Sequence, residues 1–160
     1  MINGMVARFL TLALAFVLFA ATPARADITA FLGLSPTPDN HAVRGFSAGV
    51  SLLVLGFEFE YARVSEDETE LLPGLQTYSG NVLVQTPTSM QLYATIGAGG
   101  YRETLGPLQE THVGVNLGGG IKIPLIGPVR VRADYRVFQL RGEPLHSTYQ
   151  RFYVGGNLAF

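Results

Sequence analysis

Charged side chains recur at every second position in several apolar segments of this chain, and both signs are represented. The set consists of Glu58, Glu60, Lys122, Arg130, Arg132, Asp134, Arg136 and Arg151. Residues two apart on a β-strand point to the same face of the sheet, so these groups would share one face. Arginine suits enclosed ion pairs because its planar guanidinium can bind a carboxylate through two parallel hydrogen bonds. The pattern therefore predicts an arginine–carboxylate network.

A hydrolytic site is the competing chemistry. His146 and Ser147, with Glu143 close by, are the residue types of a catalytic triad. Neighbouring residues of an extended strand point to opposite faces, so His146 and Ser147 could not act together from one face. We therefore expect a polar loop here and no enzyme activity.

The segments that would position the charges repeat with a period of two, which is typical of β-strands. The alternation is clearest over 57–61, 113–123, 129–137 and 152–160. Weaker segments that fit the same pattern are 27–34, 44–53, 76–86 and 89–101. The sequence thus predicts an all-β chain with eight antiparallel strands.

The segments between the strands alternate between longer and shorter ones. We expect the longer ones near 35–43, 66–75, 102–110 and 141–148, and the shorter ones near 54–56, 87–88 and 124–128. All prolines after residue 26 fall in these connections, as a hydrogen-bonded ladder requires. Short turns at one rim and longer loops at the other are typical of membrane barrels with an even number of strands.

The first 26 residues read as a secretory signal. Arg8 is followed by an apolar stretch over 9–21 and by the small-x-small sequence Ala24-Arg25-Ala26. An apolar core of about 13 residues is short of the roughly 20 that a membrane-spanning helix needs. We expect cleavage after Ala26, leaving a barrel domain over 27–160. Removal of Arg8 and Arg25 changes 11 basic and 12 acidic residues to 9 and 12, a net charge of −3 that gives no reason to expect nucleic-acid binding.

The apolar face of such a barrel could point inward, as in a soluble protein, or outward into lipid. Three observations favour the outward direction. Large aromatic side chains lie toward the strand ends, where membrane interfaces are; they are Phe57, Tyr61, Tyr78, Tyr135, Phe152 and Phe160. Lys122 is the only lysine, and the polar face mixes both signs of charge. We therefore predict a closed lumen crossed by ion pairs, with inward-facing glycines leaving room for the larger side chains.

On these features the chain resembles the small outer-membrane barrels of the OmpA, OmpX and OmpW kind over essentially all of 27–160. The most specific element is the last strand, in which Val154, Leu158 and the terminal Phe160 alternate. This looks like the signal that the family's assembly machinery reads. The resemblance implies an eight-stranded up-and-down transmembrane β-barrel in a bacterial outer membrane. Because the sequence ends at Phe160, we expect no peptidoglycan-binding domain after the barrel.

The function expected from this resemblance is structural or interactive. Two alternatives stay open: a narrow channel or carrier for small apolar molecules, and a lipid A-modifying hydrolase using His146 and Ser147. The expected partners are outer-membrane lipid or lipopolysaccharide and the barrel-assembly machinery. We expect a monomer without cofactor or metal.

Two histidines and an acidic run are the remaining candidate functional residues. We expect His41 in a polar loop and His112 in the lumen, near the rim that carries the loops. An acidic run could bridge divalent cations to lipopolysaccharide phosphates, but flexible loops rarely preorganise such a site, so we expect a solvated loop. The run consists of Glu66, Asp67, Glu68 and Glu70.

Overall fold

A computed structural model describes residues 24–37, 40–64, 74–105, 107–142 and 147–160. It contains eight antiparallel strands, each bonded to the next, and the last pairs with the first to close a barrel. The strands are β1 (Arg25–Thr37), β2 (His41–Leu52), β3 (Leu55–Val64), β4 (Gly74–Gln85), β5 (Gln91–Leu105), β6 (Leu108–Ile126), β7 (Val129–Arg141) and β8 (Thr148–Ala159). The predicted fold class is confirmed. None of the described residues forms a helix long and apolar enough to span a membrane.

Barrel closure involves both ends of the described chain. Phe160 and Ala26 exchange two backbone hydrogen bonds of 2.8 and 2.9 Å. These two residues, called the chain ends below, lie at the rim that carries the short turns. β1 begins at Arg25, two residues before the first residue of the predicted mature chain. Cleavage after Ala26 and the signal segment stay predictions, because residues 1–23 lie outside the described part.

The strands are longer than the sequence predicted, and several connections change as a result. The predicted loop over 35–43 is reduced to the segment between Thr37 and His41, and the predicted turn over 54–56 lies instead at 53–54. The predicted long loop over 102–110 is wrong: β5 and β6 continue as a paired hairpin as far as Leu105 and Leu108. The predicted turn over 124–128 shortens to Gly127 and Pro128, where Gly127 has the positive φ of 57° that favours glycine.

Two prolines lie within strands, contrary to the prediction that all of them fall in connections. Pro124 belongs to β6, and the β6–β7 register shifts between Pro124 and Ile126. Pro36 belongs to β1, and the β1–β8 register shifts between Leu34 and Thr37. Both prolines thus occur at irregularities, where a missing N–H donor interrupts no regular ladder.

Alternation along the strands separates an outer face from an inner one. The outer positions carry exposed apolar side chains, for example Ile96, Leu117 and Phe59 at 60%, 64% and 50% exposure. The inner positions are buried even where they are charged, as at Arg132, Arg136 and Glu60. The barrel therefore has the inverted polarity that the sequence predicted.

Candidate functional site

The charged network in the lumen joins opposite walls of the barrel. In the closed order of eight strands, β3 and β7 are four strands apart in either direction, so they face each other across the lumen. β3 contributes Glu58 and Glu60, and β7 contributes Arg132, Asp134 and Arg136. The two-residue spacing on each strand points all five side chains inward.

Arg132 is the central cation of this network. It pairs with Glu58 through both terminal nitrogens, the Nη2–Oε1 distance being 3.2 Å, and its Nη2 lies 3.2 Å from Asp134 Oδ2. Its Nε donates to the hydroxyl of Tyr93 at 2.7 Å, and that hydroxyl donates to Asp134. Arg132 is completely buried. A buried guanidinium is tolerated only when its charge and its donors are matched in this way.

Arg136 connects the carboxylates of both walls. Its Nη2 donates to Glu58 Oε1 at 2.9 Å and its Nε to Asp134 Oδ1 at 2.9 Å. Its Nη1 lies 3.2 Å from Glu60 Oε2. Every carboxylate of the central network therefore contacts Arg136, so removal of this one cation would leave all three less well compensated.

Arg151 on β8 ends the network toward the loop rim. Its Nη2 pairs with Glu60. Its guanidinium also lies 4.6 Å from the ring centre of Phe138, 5.3 Å from that of Phe31 and 5.4 Å from that of Tyr153. Arginine stacks readily on aromatic faces, so Arg151 joins the charged section of the lumen to an aromatic one.

A second ion pair lies closer to the chain ends. Lys122 on β6 bonds Asp27 on β1, and both are buried. With this pair, the ion pairs of the lumen join the carboxylates of Asp27, Glu58, Glu60 and Asp134 to the cations of Lys122, Arg132, Arg136 and Arg151. A further buried carboxylate, Glu103, lies outside this network on the loop side, where it accepts a hydrogen bond of 2.6 Å from the hydroxyl of Tyr149. Four charges of each sign leave the buried network neutral, which limits the cost of its desolvation.

Inward-facing glycines leave the space that these side chains occupy. A Cβ added at Gly118 would lie 2.6 Å from Arg136 Cγ and 2.2 Å from the carbonyl oxygen of Tyr135. One added at Gly120 would lie 2.5 Å from the hydroxyl oxygen of Tyr93. These distances are far below van der Waals contact, so the predicted role of the glycines is confirmed at these positions.

Apolar side chains fill the lumen on the loop side of the network. The buried cluster consists of Phe31, Val43, Ala62, Val64, Leu75, Tyr101, Phe138, Leu140, Tyr149 and Tyr153. The rings of Phe31 and Tyr153 stack at 3.9 Å. Ion pairs and this cluster together occupy the cross-section, so the arrangement blocks the lumen at two levels.

The comparisons with known proteins identify the architecture. No family model matches the sequence, and no curated protein matches it. Solved structures do match: the N-terminal β-barrel domain of Pseudomonas aeruginosa OprF has a TM-score of 0.63 at 15% identity, covering 85% of this chain and 97% of that one. The fold is that of the small outer-membrane barrels.

Two further structures support this assignment of the fold. Neisserial surface protein A matches with a TM-score of 0.61 at 16% identity, over 85% of this chain and 94% of that chain. A major outer membrane protein from Thermus thermophilus matches with a TM-score of 0.64 at 12% identity, over 86% and 100%. The resemblance inferred from the sequence is therefore confirmed at the level of the fold.

Of the eight residues predicted for the charge network, Arg130 differs from the others. Its Nη1 donates to the neutral side chain of Gln91 at 2.6 Å, and it is only half-buried. The other seven take part in the enclosed ion pairs. Sequence reasoning missed Asp27 and the bonding role of Tyr93. Both occupy inward positions that a count by twos along β1 and β5 would have found.

The predicted assembly residues lie on the outer face. Val154, Leu158 and Phe160 are exposed, at 46%, 46% and 67%. The last strand therefore presents a row of apolar side chains on the outer face of the barrel. Their recognition by an assembly machinery stays a prediction.

The histidines and the acidic run fall into two groups. His112 points into the lumen, with its Nε2 3.4 Å from Glu103 and 3.3 Å from Glu110. His41 is the first residue of β2 and is half-buried, so its predicted place in a loop is wrong. His146 and Glu143 lie outside the described residues, as does the acidic run over 66–70. Across the described ranges, no three acidic, histidine or cysteine side chains are grouped to hold a metal.

Proposed function

We propose that this chain is an integral protein of a bacterial outer membrane, with a closed lumen and a structural or interaction role. The observation that carries the proposal is the barrel's inverted polarity. Large apolar side chains are exposed on all eight strands, while the ion-pair network, with four charges of each sign, is enclosed. A water-soluble protein rarely exposes so large a continuous apolar surface, whereas lipid solvates it.

The limit of the apolar surface supports this location. On the loop side, the outer face changes from apolar to polar at one residue in each of seven strands, namely Arg44, Arg63, Gln76, Arg102, Thr111, Gln139 and Gln150. Cross-strand pairing brings Arg44, Arg63, Gln76, Arg102 and Thr111 into one continuous row. A polar row above an apolar band is the surface expected at a membrane interface. We infer that the loops face outside and the chain ends face the periplasm.

The first experiment is migration on a gel with and without heating, using protein extracted from outer-membrane fractions. A closed barrel resists detergent until it is boiled, so we expect a faster band for the unheated sample. Recovery in the soluble fraction, or identical migration of both samples, would contradict the proposal.

A narrow channel or carrier is the second candidate, and the filled lumen argues against it. Arg132 and Arg136 bridge opposite walls, Arg151 joins β8 to β3, and aromatic rings pack above them. We expect planar-bilayer recordings to be silent. Discrete conductance steps in the wild type, lost on boiling, would favour the channel.

A lipid A-modifying hydrolase is the third candidate. Ser147 is exposed beside β8, while the other two residues of the suggested triad are not described. We propose that the chain is not an enzyme. Ser147→Ala and His146→Ala should therefore leave the lipid A of expressing cells unchanged in mass. Acylation that differs between wild type and either variant would support the hydrolase.

The partners follow from the same location. We propose that the barrel inserts as a monomer with the help of the assembly machinery, and that Phe160 is part of the recognised edge. Phe160→Ser should lower the folded fraction in membranes several-fold, while Phe152→Ser, at another exposed aromatic position of β8, should lower it less. Equal loss in both variants would remove the special role of Phe160.

A further inference from the structure

Two arginines lie opposite each other on the outer face of the barrel. Arg44 on β2 and Arg63 on β3 are direct cross-strand partners, and both side chains are exposed. Like charges in this position repel each other and destabilise strand pairing. Within the described ranges, neither arginine forms an ion pair with a carboxylate. An anion bound between the two guanidinium groups would remove this repulsion.

The residues next to the arginines place them at the level of lipid headgroups. One pair further from the loops, Phe46 and Tyr61 are also cross-strand partners, and their rings are 5.6 Å apart. Tyr78 continues the same row on β4, with its ring 4.9 Å from that of Tyr61. Aromatic rows of this kind mark the boundary between hydrocarbon and headgroups. In the membrane location proposed above, the arginines beyond that row would lie at the level of the phosphates.

A shallow groove of about 690 Å³ leads from the arginine pair down the outer face. Its floor is formed by the cross-strand partners Ala30 and Gly156, which are small. The walls of the groove are formed by the cross-strand partners Leu32 and Val154 and by the ring of Phe46. A Cβ added at Gly156 would meet nothing within 4 Å, so the groove is open toward the surroundings.

A second depression on the same surface lacks this combination. It has a volume of about 480 Å³ and lies between Val50, Phe57, Phe59 and Val82. The charged residue in its lining is Glu58, whose side chain is enclosed in the lumen. Of the two, the first groove alone joins an apolar channel to an outward-facing pair of positive charges.

We propose that this groove binds one phosphate-bearing acyl lipid of the surrounding leaflet. The phosphate lies between Arg44 and Arg63, which can each donate two parallel hydrogen bonds to it, and an acyl chain lies over Ala30 and Gly156. A second copy of the barrel is a poorer occupant, because a two-fold interface would bring two pairs of arginines against each other. The proposal rests on the membrane location proposed above.

Native mass spectrometry of the full chain, refolded in zwitterionic detergent, tests the site. Dioleoyl phosphatidic acid is the probe, and dioleoyl phosphatidylcholine and inorganic phosphate are the comparison ligands. We expect one phosphatidic acid to remain bound, with weaker retention of phosphatidylcholine and no displacement by equimolar phosphate. Arg44→Gln with Arg63→Gln should weaken phosphatidic acid binding about tenfold or more, since two charge-assisted contacts are lost.

Matched variants separate this site from general attraction to a positive surface. Arg102→Gln with Arg141→Gln removes the same charge from exposed positions away from the groove and should change binding less than about threefold. Gly156→Leu fills the groove and should weaken binding, whereas Gly100→Leu has no effect, because Gly100 is equally open but lies on β5.

Several results would overturn the site. They are equal losses in both arginine pairs, wild-type binding by Gly156→Leu, displacement by inorganic phosphate, and a dimer that is lost on Gly156→Leu without any bound lipid. A fifth is lower resistance to urea in the Arg44/Arg63 variant with unchanged lipid binding, which would mean that the arginines pair within the protein. Gel migration with and without heating is measured for each variant. A wild type that folds as a barrel but retains no phosphatidic acid refutes the lipid site alone, whereas a wild type that forms no membrane barrel refutes the proposed function.

Discussion

The two halves of the lumen are filled with different chemistry. Toward the chain ends, ion pairs span from β3 to β7, and every enclosed cation contacts an enclosed carboxylate. Toward the loops, aliphatic and aromatic side chains pack against one another around one buried carboxylate, Glu103, which is held by Tyr149 and His112. Arg151 lies at the boundary, paired with Glu60 and stacked on Phe138.

The difference shows that a small barrel can close its interior in two ways. The stability of the charged half depends on the pairing of opposite charges, because the loss of one partner leaves an uncompensated charge in a low-dielectric interior. The apolar half depends on volume, because each lost contact only opens a cavity. The two halves should therefore respond differently to substitution.

The largest expected effect is in the charged half. Arg132→Met keeps much of the side-chain volume but removes one of the two buried cations that bind Glu58 and Asp134, so that Arg136 alone remains to compensate both. We expect a loss of about 3–5 kcal/mol in the free energy of unfolding. Urea unfolding in lipid vesicles, followed by gel migration without heating, measures it.

Arg130→Met is the matched control, since Arg130 is half-buried and bonds the neutral Gln91. It should cost no more than about 1 kcal/mol. If Arg132→Met lowered the free energy of unfolding no more than this control, ion pairing would not be what stabilises the charged half.

A smaller effect is expected in the apolar half. Leu140→Ala removes a buried side chain beside Phe138 and should cost about 2–3 kcal/mol by opening a cavity. Leu140 and Arg132 are eight positions apart on β7, so the double variant should equal the sum of the single ones within about 0.5 kcal/mol. A larger deviation in the same urea titration would show that the halves act as one unit.

The space beside the charged half gives a further test. Gly118→Ala should cost about 1–3 kcal/mol, because its Cβ would overlap Arg136 and the backbone of Tyr135. Gly80→Ala is the control: Gly80 faces outward with nothing within 4 Å, and its replacement should be neutral or stabilising by about 0.5 kcal/mol. Equal losses of unfolding free energy in both variants would mean that glycine is required in these strands for its backbone conformation. The space for the charged side chains would then not be the reason.

The smallest effect is expected outside both halves, in the turn between β2 and β3. Leu53 has a positive φ of 54°, which costs a residue with a Cβ about 1 kcal/mol or more. Leu53→Gly relieves that strain but adds freedom to the unfolded chain, so we expect a net gain of about 0.5 kcal/mol. A loss in unfolding free energy would indicate that the exposed Leu53 side chain anchors the turn in lipid.

The eight strands and the direction of their faces could be predicted from the sequence, because alternation over 129–137 or 57–61 fixes a face wherever charges interrupt it. The apolar half of the lumen could not be recognised in this way, because no charged residues mark its inward positions on β3 and β7. Val64 and Leu140 look like outward residues by type, although counting by twos from Glu60 and Arg136 assigns them inward. At these positions the apolar side chain suggests the outer face, whereas the position along the strand assigns the inner face. The position is decisive because side chains alternate strictly along a continuous pleated strand.

Which charges pair with which could not be predicted, because partners such as Lys122 and Asp27 meet only through barrel closure. Arg130 shares its face with Arg132, yet it reaches Gln91 at the rim. The predicted strand ends were also wrong. Pro36 and Pro124 indicated connections between strands, but both lie inside strands at positions where the strand pairing is irregular. Tertiary closure overrides such local signals.

The central claim is that the apolar face meets hydrocarbon and the charged face is enclosed. The chain contains no cysteine, so single cysteines can carry spin labels without background. In lipid vesicles, labels at Phe59, Ile96 and Leu117 should be relaxed by oxygen, which dissolves in hydrocarbon, and hardly at all by a water-soluble nickel chelate. If the nickel chelate relaxed these labels efficiently instead, the apolar face would be in water and the account would be wrong.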